Sequence, residues 1–215
     1  MTKLPNLIAL FLAAMPVAAA AQDIAFDDRW LEQRLSIFGS NQYTLDGDSL
    51  GVISDGTVSL IWTRLPEVMW RTSVASWEWM VDRSVPPTDL TLKGGDDRNL
   101  SLYFIFLPEK AARTATHVGP RALLDNPDAR VLVYVWGGAY ERGQILPSPY
   151  LGARGRSVVK RAAGEGVAAE RVNLGRDYRR AFGEAQQRLV ALAVSSDSDD
   201  TGTAVSASIS QLRLR

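Results

Sequence analysis

The densest run of carboxylates in the chain is Asp197-Ser198-Asp199-Asp200-Thr201-Gly202, directly after an apolar stretch. Oxygen-bearing side chains at alternate positions, with a glycine at the sixth, resemble the first half of a calcium-binding loop. The twelfth position is Ser208, where a complete loop has a bidentate glutamate. The run therefore predicts either a structural calcium site at Asp197, Asp199 and Thr201 or a polar hairpin turn whose carboxylates accept backbone hydrogen bonds.

A second pair of carboxylates, Asp96 and Asp97, stands in a loop that begins Lys93-Gly94-Gly95. If this loop approaches the run at 197–202, a cation site becomes more plausible, because hard cations prefer several oxygen ligands. Lys93, Asp96 and Asp97 are also candidate ligand-binding residues, since all three charged groups project from one turn.

Glu78 lies between Trp77 and Trp79 on a predicted strand, so it points away from the face that the tryptophans share. It is either a solvated strand position or a binding carboxylate, aimed at sugar hydroxyls or acting as a catalytic acid. Trp136 is the aromatic residue most suited to stacking on a sugar ring, because Gly137-Gly138 ends its strand and predicts a position near a rim.

Composition excludes several kinds of chemistry. The chain has no cysteine and one histidine, so it cannot build a disulfide, a thiolate metal site, a cysteine nucleophile or a histidine-rich metal site. No phosphate-binding loop occurs, because neither Gly94-Gly95 nor Gly137-Gly138 is followed by Lys-Ser or Lys-Thr. Lys plus Arg equals Asp plus Glu, at 24 each, which argues against nucleic acid as a partner. We assign no catalytic residue from the sequence.

The first segment predicts export. Lys3 precedes the apolar run Leu7–Ala21, which contains Pro16 and ends in four alanines. A basic start, a short apolar run and small residues at the end are typical of a cleaved signal peptide, and the run is too short to span a bilayer. We therefore expect residues 1–21 to be removed, leaving 22–215 as one periplasmic or secreted domain without a membrane span.

The elements that must position these residues are mostly strands. Alternating residues with Asp-Gly turns predict two or three strands in 43–65 and another in 71–82. The apolar runs 100–107, 131–136 and 189–194 are typical of central strands that are covered on both faces. Only 109–113 and 176–182 look helical, the second ending at Gly183. The pattern predicts an all-β sandwich, jelly-roll or galactose-binding-like, with one or two short helices.

The order of several short motifs resembles a known family of secreted bacterial proteins, domain of unknown function 3047. The motifs that carry the resemblance are Trp77-x-Trp79, Lys93-Gly94-Gly95-Asp96-Asp97-Arg98, Tyr103-x-x-Phe106, Tyr134-x-Trp136, Arg176-Asp177-Tyr178 with Phe182-Gly183, and Asp197-x-Asp199-x-Thr201-Gly202. The resemblance covers about 30–212 and implies an exported single domain, without implying an activity.

These observations lead to two main functional hypotheses, and a structural or assembly protein that is recognised through a sheet edge is a third possibility. The first is a non-enzymatic β-sandwich that binds a glycan or another component of the cell envelope at Glu78, Lys93, Asp96, Asp97 and Trp136. The alternative is a glycoside-cleaving enzyme on the same scaffold, in which Glu78 acts with Asp96 or Asp97. The sequence leaves the ligand, a bound calcium ion and the oligomeric state open.

Overall fold

The computed structural model describes residues 21–35 and 39–215. The predicted signal segment therefore lies outside the described residues, apart from Ala21. No helix in the described part of the chain is long and apolar enough to cross a membrane.

The chain folds mainly into strands. Their bounds are β1 Gln22–Asp23, β2 Leu31–Arg34, β3 Gln42–Leu45, β4 Ser49–Asp55, β5 Val58–Arg64, β6 Val74–Arg83, β7 Arg98–Leu107, β8 Arg130–Trp136, β9 Ile145–Ser148, β10 Gly152–Arg161, β11 Gly166–Asn173, β12 Arg188–Asp197 and β13 Ala204–Leu214. One sheet has six strands in the order β11-β6-β13-β4-β3, with β1 paired to β13; the other has seven, in the order β2-β5-β12-β7-β8-β10-β9. The two sheets confirm the predicted all-β sandwich.

The predicted turns and central strands are present. Gly47 and Gly56 adopt φ of 63° and 60° in the turns that connect β3, β4 and β5, as hairpin chemistry requires. The three apolar runs form β7, β8 and β12, which lie inside the seven-stranded sheet. Nearly all of their residues are buried, as expected of apolar runs that lack the polar alternation of a half-exposed strand.

Aromatic side chains fill the space between the sheets. Trp77 and Trp79 of β6 pack against Tyr134 and Trp136 of β8, with ring centroids 5.4 Å and 5.7 Å apart. The prediction that Trp136 lies near a rim is wrong, since only 3% of its surface is exposed. Alternation along β8 gives Trp136 the inward orientation of Tyr134, so it belongs to the core.

The described residues contain three α-helices, whereas the sequence predicted one or two. They are α1 Glu109–Thr114, α2 Pro120–Asp125 and α3 Leu174–Phe182. A 3₁₀ turn spans Glu67–Met69. The side chain of Asn173 accepts a hydrogen bond at the start of α3, and Gly183 ends it in the left-handed conformation, as predicted.

Candidate functional site

A groove of about 650 Å³ lies on the seven-stranded sheet, on the face that points away from the six-stranded sheet. Alternate residues of neighbouring strands share this face and form its floor. They include Leu60 of β5, Asp197 of β12, Tyr103 of β7, Val133 of β8 and Ser157 of β10. Val58 of β5, the partner of Asp197, adds an apolar side chain to this floor. The other apolar residues that line the groove are Leu35, Leu90, Leu124, Pro149 and Leu151.

A β-bulge turns Arg98 into the groove. Ser195 of β12 pairs with Ser101 of β7, but Asp197, two residues on, pairs with Arg98, three residues back. The extra residue on β7 shifts the alternation, so Arg98 lies on the same face as Ser101 instead of pointing inward with Leu100. The bulge therefore places a guanidinium beside the Asp197 carboxyl.

Arg98 contacts the polar groups of the groove floor. Its Nε donates to Ser101 Oγ at 2.8 Å, and its Nη2 donates to Tyr103 Oη at 3.1 Å. Its Nη1 contacts Asp96 Oδ2 at 2.6 Å and Asp197 Oδ2 at 3.1 Å. Because both oxygens contact one nitrogen, they lie at most about 6 Å apart, the sum of the two distances. Arg98 thus joins a carboxylate from the loop before β7 to a carboxylate at the end of β12.

Gly137 allows this arrangement by its lack of a side chain. A Cβ at this position would lie 2.7 Å from Arg98 Cβ and 2.9 Å from Arg98 Cα. Carbon atoms make favourable contact only near 3.5–4.0 Å, so any larger residue would displace the start of β7. The glycine after β8 therefore determines where the guanidinium sits.

Asp97 ties this part of β7 to the loop between β12 and β13. Its Oδ2 accepts hydrogen bonds from the backbone N and Oγ1 of Thr201, at 2.7 Å and 2.5 Å, and its Oδ1 accepts one from Asp200 N at 3.3 Å. Carboxylate oxygens of Asp97, Asp199 and Asp200 all lie within 4.8 Å of one another. The two acid-rich loops therefore meet.

Asp197 is buried among like charges. Its Oδ1 has no hydrogen-bond partner among the described residues. Burial, aided by Asp199 and Asp97, raises the pKa of Asp197 to about 8 against the opposing effect of Arg98. The groove thus has more negative charge than its single buried guanidinium neutralises.

Tyr150 closes one side of the mouth. Its Oη donates to Asp96 Oδ1 at 3.0 Å, while 54% of its surface remains exposed. The Lys93 ammonium stands over its ring, 5.5 Å from the centroid. Burial and the Asp96 charge raise the pKa of Tyr150 to about 12, so it remains a hydrogen-bond donor at neutral pH.

The structure brings most of the candidate residues together. Those that meet in or beside the groove are Lys93, Asp96, Asp97, Asp197, Asp199 and Thr201. Glu78 does not join them, because it lies on the outer face of the six-stranded sheet beside Ala169 and Ser210. The hypothesis that Glu78 acts with Asp96 or Asp97 on one glycosidic bond is therefore wrong, since the sandwich separates the carboxylates.

Sequence reasoning missed Arg98, Tyr150 and Asp200 as parts of the groove. A regular alternation through β7 gives Arg98 the orientation of Leu100, and nothing in the sequence marks the bulge. Asp200 stood within the predicted loop but outside its alternate ligand positions. Tyr150 follows Pro149 in a connection whose approach to Asp96 depends on tertiary packing.

Comparison with known proteins gives a family but no activity. The family model described as "Protein of unknown function (DUF3047)" matches residues 28–213. A search of curated proteins found no match to this chain.

A search of solved structures found matches of low similarity. The xyloglucanase domain of NopAA, a type three effector from Sinorhizobium fredii, in complex with cellobiose, is 8% identical with a TM-score of 0.49, covering 86% of this chain and 92% of that one. A loop-swap mutant of Necallimastix patriciarum Xyn11A is 11% identical with a TM-score of 0.46, covering 93% and 97%. The family 11 xylanase from Neocallimastix patriciarum is 11% identical with a TM-score of 0.44, covering 91% and 99%. Likenesses this low say nothing about what this chain binds or catalyses.

Proposed function

The chain belongs to the DUF3047 family, and we propose that it is an exported protein that binds a glycan without acidic sugars in the groove of its seven-stranded sheet. The observation that carries this proposal is the combination of buried charged groups on the groove floor with an exposed tyrosine ring at its mouth. The hydroxyl groups of a sugar can hydrogen-bond to the charged groups, and the apolar face of its ring can stack on the tyrosine.

The buried groups are suited to hydroxyl recognition. Asp96 and Arg98 are 3% and 8% exposed, so their positions are held by their mutual contacts and not by solvent. Ser157 and Tyr103 add hydroxyls on the same floor. A preorganised set of donors and acceptors loses little conformational freedom when a ligand binds.

The charge of the groove supports the choice of glycan. Asp96, Asp197, Asp199 and Asp200 line it, and Arg98 is the cation among its lining residues. Lys93 lies outside, over the Tyr150 ring. An excess of carboxylates repels uronic acids and phosphorylated sugars, whereas neutral and amino sugars escape this penalty.

Export is supported by the first segment of the sequence alone. Lys3, the apolar run Leu7–Ala21 and its terminal alanines have the features of a cleaved signal peptide. The test is to express the full chain in a bacterium and to sequence the amino terminus of the protein in the periplasmic and culture fractions. We expect it to begin at Gln22. Full-length protein retained in the cytoplasm would contradict export.

The glycan proposal is tested by an oligosaccharide array that includes neutral, amino and acidic glycans, followed by calorimetric titration of the best ligand. Tyr150→Ala should weaken binding at least about tenfold, because it removes the stacking ring and a contact to Asp96. Glu78→Gln is the matched control on the opposite sheet and should leave affinity unchanged. Failure of all neutral and amino glycans to bind, or sensitivity to Glu78 instead of Tyr150, would overturn the proposal.

One further observation favours glycoside cleavage as a second candidate. The carboxylate oxygens of Asp96 and Asp197 that contact Arg98 lie at most about 6 Å apart, which accommodates the roughly 5–5.5 Å separation of a retaining pair. New reducing ends should appear when the bound glycan is incubated with the protein, and Asp96→Asn or Asp197→Asn should abolish their formation. If the glycan binds and stays intact, the binding function stands and the enzymatic one falls.

A further inference from the structure

We infer that Asp97, Asp199 and Asp200 form a calcium-binding site at the groove end of the loop between β12 and β13, with the unpaired oxygen of Asp197 beside it. The site goes beyond the proposed glycan function, and it uses Asp199 and Asp200, which also line the groove. It differs from the calcium site predicted by sequence, which used Asp197, Asp199 and Thr201 as ligands.

The spacing of the oxygens fits the size of the ion. One carboxylate oxygen from each of the three residues lies within 4.8 Å of the other two. Two ligands on opposite sides of Ca²⁺ are separated by about 4.6–5.2 Å, because each Ca–O distance is about 2.3–2.6 Å. Mg²⁺ requires about 2.0–2.1 Å and hence a tighter cage, so the geometry favours calcium.

The loop is held in place before an ion arrives. Asp97 accepts three hydrogen bonds from Thr201 and Asp200, two at Oδ2 and one at Oδ1. A carboxylate has about four acceptor positions, so one position on Oδ1 remains for a cation. Asp199 and Asp200 are exposed, which leaves room for the water ligands that complete a calcium shell.

Thr201 has a different role from the one predicted. Its Oγ1 donates to Asp97 Oδ2 and lies 2.7 Å from Thr203 Oγ1. These contacts orient Asp97 and close the turn, so Thr201 positions a ligand instead of serving as one.

Asp197 supplies an independent sign that a cation belongs here. Its side chain is 7% exposed, and its Oδ1 is buried without a donor among the residues that the structure describes. A buried carboxylate oxygen without a partner carries a desolvation cost that a nearby cation removes. Asp197, Asp199 and Asp200 line the same groove, so an ion at the three-residue site lies beside this carboxyl and offsets its missing partner.

The test uses the full chain after treatment with a chelator. Terbium emission, excited through the groove tyrosines Tyr103 and Tyr150, should report one site that calcium displaces. Calorimetry should give a dissociation constant of about 0.1–1 mM for calcium, as in extracellular modules, and weaker binding of magnesium. Asp199→Asn and Asp200→Asn should each weaken calcium binding at least about tenfold.

The matched control is the double variant Asp46→Asn with Asp48→Asn, in the exposed turn between β3 and β4. It removes two carboxylates from a hairpin on the other sheet and should bind calcium as the unaltered chain does. Equal affinity in the Asp199 and Asp200 variants would overturn the site. A second measurement needs no variant: an unchanged melting temperature of the unaltered chain between chelator and about 10 mM calcium, many times the expected constant, also overturns it.

Discussion

Two buried charge clusters in this molecule have opposite balances. In the first, the side chain of Glu170 is 1% exposed and contacts three cations: Arg142 Nη2 at 2.7 Å, Lys160 Nζ at 3.0 Å and Arg161 Nε at 3.8 Å. In the second, the groove cluster, Arg98 is the buried cation among Asp96, Asp97, Asp197 and their exposed neighbours. One cluster surrounds a carboxylate with cations, and the other surrounds a cation with carboxylates.

The difference separates architecture from function. Glu170 belongs to β11 of the six-stranded sheet, and Lys160 belongs to β10 of the seven-stranded sheet, so their ion pair joins the two sheets. The negative charge of Glu170 is thus fully matched by cations of the protein itself. The groove cluster leaves one oxygen of Asp197 without a donor and opens into a cavity. A protein retains such an imbalance where a ligand or an ion completes it.

The strongest test of the comparison breaks the satisfied cluster. Glu170→Gln leaves Lys160 and two arginines without their carboxylate, and we expect the free energy of unfolding in urea to fall by about 3 kcal/mol. Glu165→Gln, at an exposed position in the connection before β11, is the control and should change it by less than about 0.5 kcal/mol. Calcium and glycan binding by the folded Glu170 variant should be unchanged. A loss of binding without a loss of stability would mean that the Glu170 cluster serves ligand binding and not the stability of the fold.

A smaller effect is expected from Gly137→Ala, which disturbs the groove through the backbone. The added methyl group would lie 2.7 Å from Arg98 Cβ, so we expect a loss of about 1–3 kcal/mol in stability together with a loss of glycan affinity. Gly119→Ala, where an added methyl meets open space, should affect neither. Urea denaturation and calorimetric titration measure both quantities. Unchanged affinity would show that the Arg98 position is not critical for the ligand.

Asp197→Asn should have the opposite sign from Glu170→Gln, although both replace a buried acid by its amide. The asparagine oxygen still accepts from Arg98, and the substitution removes a buried carboxyl whose ionisation burial opposes, raising its pKa to about 8. In the presence of a chelator, the free energy of unfolding of this variant should equal that of the unaltered chain or exceed it by about 1 kcal/mol. Calcium binding should weaken. A destabilisation as large as that of Glu170→Gln would mean that the groove is balanced as it stands.

Most of the central strands could be predicted from the sequence, but a strand that carries a charged residue into the interior could not. Apolar runs identified β7, β8 and β12, but the sequence reasoning missed β11. The inward residues of β11 are Ala168, Glu170 and Val172, and the glutamate breaks the apolar alternation. Its inward position depends on cations contributed by β10 and by Arg142, which is tertiary information.

The candidate site divides in the same way. The acid-rich loops at 96–97 and 197–201 were recognisable because charge density is a local property of the sequence. The inclusion of Glu78 was wrong because the sequence does not show which sheet bears the groove, and Glu78 lies on the outer face of the other sheet. Arg98 was missed because a single extra residue in β7 reverses its orientation.

A third contact between the sheets is half-buried and uncharged, so it separates the effect of hydrogen bonding from that of charge. Tyr43 Oη of β3 donates to the Ser59 carbonyl of β5 at 2.8 Å and joins the two sheets. Burial raises the pKa of Tyr43 to about 12, whereas an unfolded tyrosine ionises near pH 10. Between these values the unfolded state releases the proton and the folded state keeps it, so this contribution to stability is lost as the pH rises from about 10 to about 12. Between pH 9 and pH 11, the free energy of unfolding of Tyr43→Phe, measured in urea, should therefore fall by about 1 kcal/mol less than that of the unaltered chain. Equal decreases would contradict a raised pKa of Tyr43 in the folded state.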